Sequence, residues 1–154
     1  MKSRMITDQS VIDEVAKACD VCFVAMIDEN NKPYNIGMNF GYHDGIIYLH
    51  SGPKGRKLDI LRNNPHVCVT MSTAHQMYHQ SKDVACSYGM KYKSILVKGR
   101  VEFIEDLDTK VDVLSAVMRQ YTGREDYRYS QPALKNVTIM KVIPESTECK
   151  FFGY

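Results

Sequence analysis

The chain has 154 residues, enough for one domain around one core, and 44% hydrophobic content with 25% charged residues describes a globular protein that folds in water. A net charge of +2 gives no global field that would draw the chain to nucleic acid or to a membrane surface. No stretch approaches the roughly 18 apolar residues needed to cross a bilayer, and the segment Met1 to Asp8 turns acidic before any apolar run, so neither a signal peptide nor a membrane anchor is expected and the protein is read as cytoplasmic.

In chain order, Val11, Ile12, Val15, Ala18 and Cys19 form a helical stripe over 8–19, with Thr7 as the expected N-cap. Residues 21–27 are a short β-rich run, closed by the turn Asp28-Glu-Asn-Asn-Lys-Pro33. Residues 34–41 alternate with a period of two. Tyr34, Ile36, Met38 and Phe40 share one face, and Asn35, Gly37, Asn39 and Gly41 share a small, polar one on which something flat could lie. His43-Asp-Gly45 signals a hairpin turn, followed by a strand over 46–50. The segment 48–57 then reads as a strand end, a Gly/Pro turn and the first turn of a helix over 54–63, stopped by Asn-Asn-Pro65.

Arg56 and Lys57 fall in that first helical turn, where unpaired backbone N–H groups and the positive end of the helix dipole already favour an anion. Two cations added there make a site for a phosphate on a small ligand, and His50 and Ser51 stand beside it at the strand end. The competing account is a pair of solvated surface cations.

Residues 67–72 alternate as another strand, 73–90 show no period and are expected to be a long loop or lid, and 94–105 alternate again. Leu107, Val111, Leu114, Met118 and Tyr121 make a helical stripe with Gly123 as its C-cap. A polar connection over 123–135, rich in tyrosine, leads to a last strand over 136–143 and a tail of undetermined structure. Tyr121, Tyr127 and Tyr129 could cover a cleft or pack an interface. Five cysteines at irregular spacing indicate reduced thiols, and Cys19-Asp-Val-Cys22 is read as a pair of buried thiols. His75 and His79, with His66 upstream, lack a carboxylate or cysteine to complete a ligand set, so no metal is expected.

Mostly hairpin-linked strands with a few helices describe a small antiparallel barrel, and a parallel dinucleotide-binding sheet is excluded by the absence of alternating βαβ units and of any G-x-G-x-x-G or Walker sequence. The ordered blocks 33–42, 47–51, 55–67 and 92–106, with Cys86 between the last two, resemble the pyridoxamine 5′-phosphate oxidase-like flavin-binding proteins, and within them the 5-nitroimidazole resistance (nitroimidazole reductase) group. The resemblance spans about Val21 to Tyr121. It implies a mainly β fold with added helices, an antiparallel, Greek-key-like FMN-binding split β-barrel, as one flavin-binding domain over 1–154.

The resemblance further implies a homodimer that holds FMN at its interface. Arg56 and Lys57 match the positions that hold the phosphate. Ile36, Gly37, Met38 and Asn39 match the strand along the isoalloxazine ring, His50 and Ser51 the strand end beside ring and ribityl chain, and Ser94 a polar contact to phosphate or ring. Cys86 and Tyr92 stand near the start of that long strand. The implied activity is reduction of a small acceptor, such as a nitroimidazole or other nitro-aromatic, with NAD(P)H or another reduced donor and with His50 as the catalytic candidate. A non-catalytic flavin- or haem-binding carrier or sensor is the alternative. The C-terminal substrate segment of the pyridoxamine phosphate oxidases has no clear counterpart, which turns the expectation away from that oxidation.

Overall fold

In a computed structural model, which describes residues 2–154, eight strands and four α-helices are arranged as β1 (Ser3–Ile6), α1 (Gln9–Lys17), β2 (Cys22–Ile27), β3 (Pro33–Met38), β4 (Phe40–His43), β5 (Ile46–Ser51), α2 (Arg56–Asn63), β6 (His66–His79), β7 (Tyr88–Ile104), α3 (Leu107–Thr122), α4 (Gln131–Lys135) and β8 (Thr138–Phe152). The strand order is β3-β2-β6-β7-β8-β5-β4, with β1 added to β8, and every pairing is antiparallel. The fold is a split β-barrel. No described helix is long and apolar enough to cross a membrane.

The strand expected over 34–41 is interrupted at Asn39. β3 and β4 follow one another in sequence yet occupy opposite ends of the strand order, so the chain leaves one sheet edge and joins the other within a single residue. This is how a sheet turns a corner to enclose a core. The alternation expected there survives the break: Met38 and Phe40 are buried, while Gly37 and Asn39 face outward. The core inside the curl contains Val24, Met26, Met38, Phe40, Leu49, Val69, Met71, Ile95, Val97 and Met140.

Helix α1 is capped by Asp8 rather than Thr7. The Asp8 carboxylate accepts from the Ser10 amide at 2.9 Å and from the Ser10 hydroxyl at 2.7 Å. Gly123 ends α3 at φ 71 as expected. Helix α3 lies directly on β4 because Gly41 has no side chain: a Cβ there would fall 2.7 Å from the Val117 nitrogen and 2.9 Å from the Ala116 carbonyl carbon.

The segment expected to be a loop or lid over 73–90 is largely strand. β6 and β7 continue pairing to His79 and Tyr88, beyond Tyr92, where β8 stops pairing with β7. That arm has most of its residues exposed on both faces, so no hydrophobic alternation could mark it. The C-terminal segment also belongs to the sheet: β8 runs through to Phe152, with a register shift opposite Lys98/Gly99 and pairing to β1 over its last residues. Cys19 and Cys22 are buried, free thiols, their pKa values pushed up by burial to about 11 and about 12.

Candidate functional site

β5 alternates between core and outside. Ile47, Leu49 and Ser51 point inward, and Tyr48 and His50 point outward. After Ser51 the chain turns through Gly52 to Gly55 and begins α2. Gly55 sits at φ 144, a left-handed value that side chains disfavour, and supplies no side-chain cap. The first-turn amides of α2 therefore depend on backbone, water or a ligand for acceptors. Leu58, Ile60 and Leu61 bury the opposite side of the helix and fix its direction.

The two first-turn cations are placed differently. The Arg56 guanidinium donates from Nη2 to Asp28 Oδ2 at 2.9 Å and lies 4.8 Å from the centre of the Tyr34 ring. Asp28 is itself buried, and its other oxygen accepts from the Asn30 and Lys32 amides at 2.9 and 2.8 Å. The Lys32 amide, with further help from Asn30 and Arg56, holds the Asp28 carboxyl below the usual carboxylate range. Arg56 is thereby tethered to the β2–β3 turn while most of its side chain stays exposed. Lys57 is half-buried and close enough to His50 to act on its charge.

His50 lines a cleft of about 230 Å³ together with Asn39, Leu114, Val117, Met118, Tyr121 and Tyr129. The wall is mostly apolar and comes largely from α3. Burial, and secondarily the charge of Lys57, lowers the His50 pKa from its ordinary value. That shift favours the neutral imidazole over the charged one. Its Nδ1 is buried without a partner, and so is the Tyr129 hydroxyl in the same cleft. Each such group carries a penalty of about 1–3 kcal/mol unless a ligand or water meets it.

Of the residues singled out from sequence, Asn39 and His50 share this cleft and Lys57 adjoins it. Ile36 and Met38 turn toward the core, and Ser51 is buried against the barrel. Gly37 lies on the outer face in register with Phe23, Thr70 and Leu96. Ser94 is the next residue after Leu96 on that face, three strands from β3, or about 14 Å across the sheet. Cys86 lies at the tip of the β6–β7 arm and Tyr92 stacks on Phe152 at 5.5 Å; neither lines the cleft.

The three tyrosines considered from sequence have separate fates. Tyr121 lines the cleft, but its hydroxyl accepts from the Phe40 amide at 3.0 Å and donates to the Asp20 carbonyl at 2.9 Å. Tyr127 packs 5.3 Å from the Arg124 guanidinium. Tyr129 also lines the cleft, and it alone of the three has a buried hydroxyl with no partner. Sequence reading missed Asp28 as the partner of Arg56, and Leu114, Val117 and Met118 as lining. The α3 stripe marked Leu114 and Met118 as apolar but could not say what they face. His75 and His79 lie on strand β6, not on a helix, and among the described residues no group of three or more His, Cys, Asp or Glu converges as a metal site would require.

Residues 8–149 match the pyridoxamine 5′-phosphate oxidase family. A solved structure from Bacteroides thetaiotaomicron, described as a candidate 5-nitroimidazole antibiotic resistance protein, is 40% identical, with a TM-score of 0.86, and the match covers 98% of this chain and 88% of that one. An FAD- and haem-binding protein from Mycobacterium smegmatis shares the fold at a TM-score of 0.83 and 16% identity, over 97% of this chain and 74% of that one. A flavocytochrome from Azotobacter vinelandii does so at 0.80 and 19%, over 99% and 70%. Among curated proteins, none matches the sequence significantly. The chain belongs to the pyridoxamine 5′-phosphate oxidase family.

Proposed function

We propose that this member of the pyridoxamine 5′-phosphate oxidase family binds FMN and uses it to reduce a small acceptor, a nitroimidazole or another nitro-aromatic, with electrons from NAD(P)H or another reduced donor. The observation that carries this reading is the gathering of a helix start, Lys57 and a neutral, unpaired His50 beside one apolar cleft. The 40% identity to the Bacteroides protein, spread over nearly the whole chain, supports the choice of acceptor.

The residues fit such a cofactor. Lys57, the free N–H groups of Arg56 and the first amides of α2 would hold the phosphate. The outer face at Gly37 of β3 and at the following Asn39 offers an open surface for the ring, with His50 at its edge and Ser94 further along the same sheet face. Bound flavin supplies two-electron transfer. The net conversion takes a nitro group to a nitroso group and water, consuming two electrons from the donor together with two protons. His50 touches the acceptor as a neutral hydrogen-bonding partner, and Leu114, Val117 and Met118 keep water from it.

The working unit in this reading is a homodimer. A cleft of about 230 Å³ is smaller than the roughly 300–1,000 Å³ usual for a ligand site, and a second copy would complete it. Val21, Phe23 and Ile27 are exposed at 40%, 50% and 40% beside β3 and give that copy an apolar surface to cover. The test is anaerobic. Protein loaded with FMN should bleach with NAD(P)H and regain its colour when a 5-nitroimidazole is added. Bleaching without recovery for any nitro-aromatic would favour a carrier and remove the reductase.

A further inference from the structure

Tyr129 is held in place from both sides. Behind it, the Ser130 side chain accepts from the Ala133 amide and caps α4. The buried Lys110 of α3 then donates to the Val137 carbonyl at 3.0 Å and the Leu134 carbonyl at 3.5 Å, which pins α4 to α3. Ahead of it, Arg119 pairs with Glu125 at 2.6 Å and Arg124 with Asp126 at 2.9 Å. Tyr129 thus leads directly into an α4 that is pinned to α3, yet its hydroxyl is buried with no partner. A phenylalanine would fill the same space without that penalty.

Resting on the function proposed above, we infer that Tyr129 is a substrate-positioning residue whose hydroxyl, together with the Nδ1–H of His50 in that tautomer, donates to the oxygens of an uncharged, flat acceptor, a nitro group on an aromatic ring. Both atoms are buried and lack partners, and the two residues that carry them line one cleft. Tyr121 cannot serve, because its hydroxyl is already committed to Phe40 and Asp20. Among the described residues the lining holds no Lys or Arg, and Lys57, which adjoins it, is taken up by the FMN phosphate in the function proposed above, so a carboxylate placed there would lose its hydration without gaining a free cation. Two neutral hydrogen-bonding groups on an apolar wall suit a neutral polar head.

The experiment uses Tyr129→Phe, with Tyr127→Phe as control. It measures melting temperature, FMN affinity, and the affinity of oxidised, FMN-loaded protein for a neutral 5-nitroimidazole and for an imidazole carboxylate. The wild-type protein is expected to prefer the nitro compound. Tyr129→Phe should weaken nitroimidazole binding by about tenfold, hold FMN as tightly as wild type, and melt no lower than wild type in the absence of ligands. Tyr127→Phe should bind the nitro compound as wild type does. Unchanged nitroimidazole affinity in Tyr129→Phe would overturn the inference, as would preference for the carboxylate. A fall of several degrees in melting temperature would assign the hydroxyl to the fold, and loss of FMN would assign it to the cofactor; either result defeats it. If wild-type protein binds no FMN, the proposed function falls first and this inference falls with it.

Discussion

Replacing Lys57 with methionine separates the phosphate from the rest of the flavin. Lys57→Met keeps most of the aliphatic stem of this half-buried residue and removes only its charge. A hydrogen bond to a charged group contributes about 1.5–3 kcal/mol, and 1.4 kcal/mol is about tenfold in affinity, so FMN should bind roughly 10- to 150-fold more weakly. Riboflavin, which lacks the phosphate, should lose little. The assay is a fluorescence titration of each flavin against wild-type and variant protein. Equal losses for the two flavins, or no loss for FMN, would refute the assignment of Lys57 to the phosphate. A second readout comes from His50. Its pKa is depressed first by burial and then by Lys57, so in Lys57→Met it should rise toward the ordinary value and stop short of it. An NMR titration in which the His50 resonance does not move would show that the two side chains are not coupled.

Arg56→Ala combined with Lys57→Ala should abolish most FMN affinity while the far-ultraviolet circular dichroism stays that of the wild type; flavin that survives gel filtration with the double variant would contradict this. Gly41→Ala forces a methyl group into the backbone of α3, and overpacking of this kind costs about 1–3 kcal/mol, or about 2–12 °C in melting temperature for a chain of this size. A melting temperature equal to wild type would show that α3 can shift away from β4 freely. The lowered pKa of His50 means that the unfolded chain takes up a proton first as pH falls. Its contribution to stability is full above about pH 6.5 and is lost as pH falls from there through the folded value. His50→Gln should flatten that part of the curve of melting temperature against pH, and an identical curve would show that His50 does not titrate in this way.

The parts of the fold legible in the sequence were those with one wet and one dry face. Met38 and Phe40 against Gly37 and Asn39, or Val67, Val69 and Met71 against their neighbours, carry the barrel's alternation openly. The β6–β7 arm was illegible because both of its faces are largely exposed, leaving no period to detect. The break at Asn39 was hidden because a strand that changes sheets keeps its alternation through the corner. In the site, the helix start with Arg56 and Lys57 could be read from local chemistry. The tether from Arg56 to Asp28 joins residues 28 apart in sequence, and no local pattern predicts it. The same holds for Tyr129, whose placement depends on how α4 is pinned to α3 by Lys110.

The central claim is that FMN binds at the start of α2, beside the His50 cleft that takes the acceptor. Its most direct test is the absorption spectrum of the purified protein, followed by mass spectrometry of whatever chromophore denaturation releases. A flavin spectrum and the mass of FMN are expected. A Soret band from haem, or a colourless protein that stays colourless when mixed with FMN and desalted, would contradict the account.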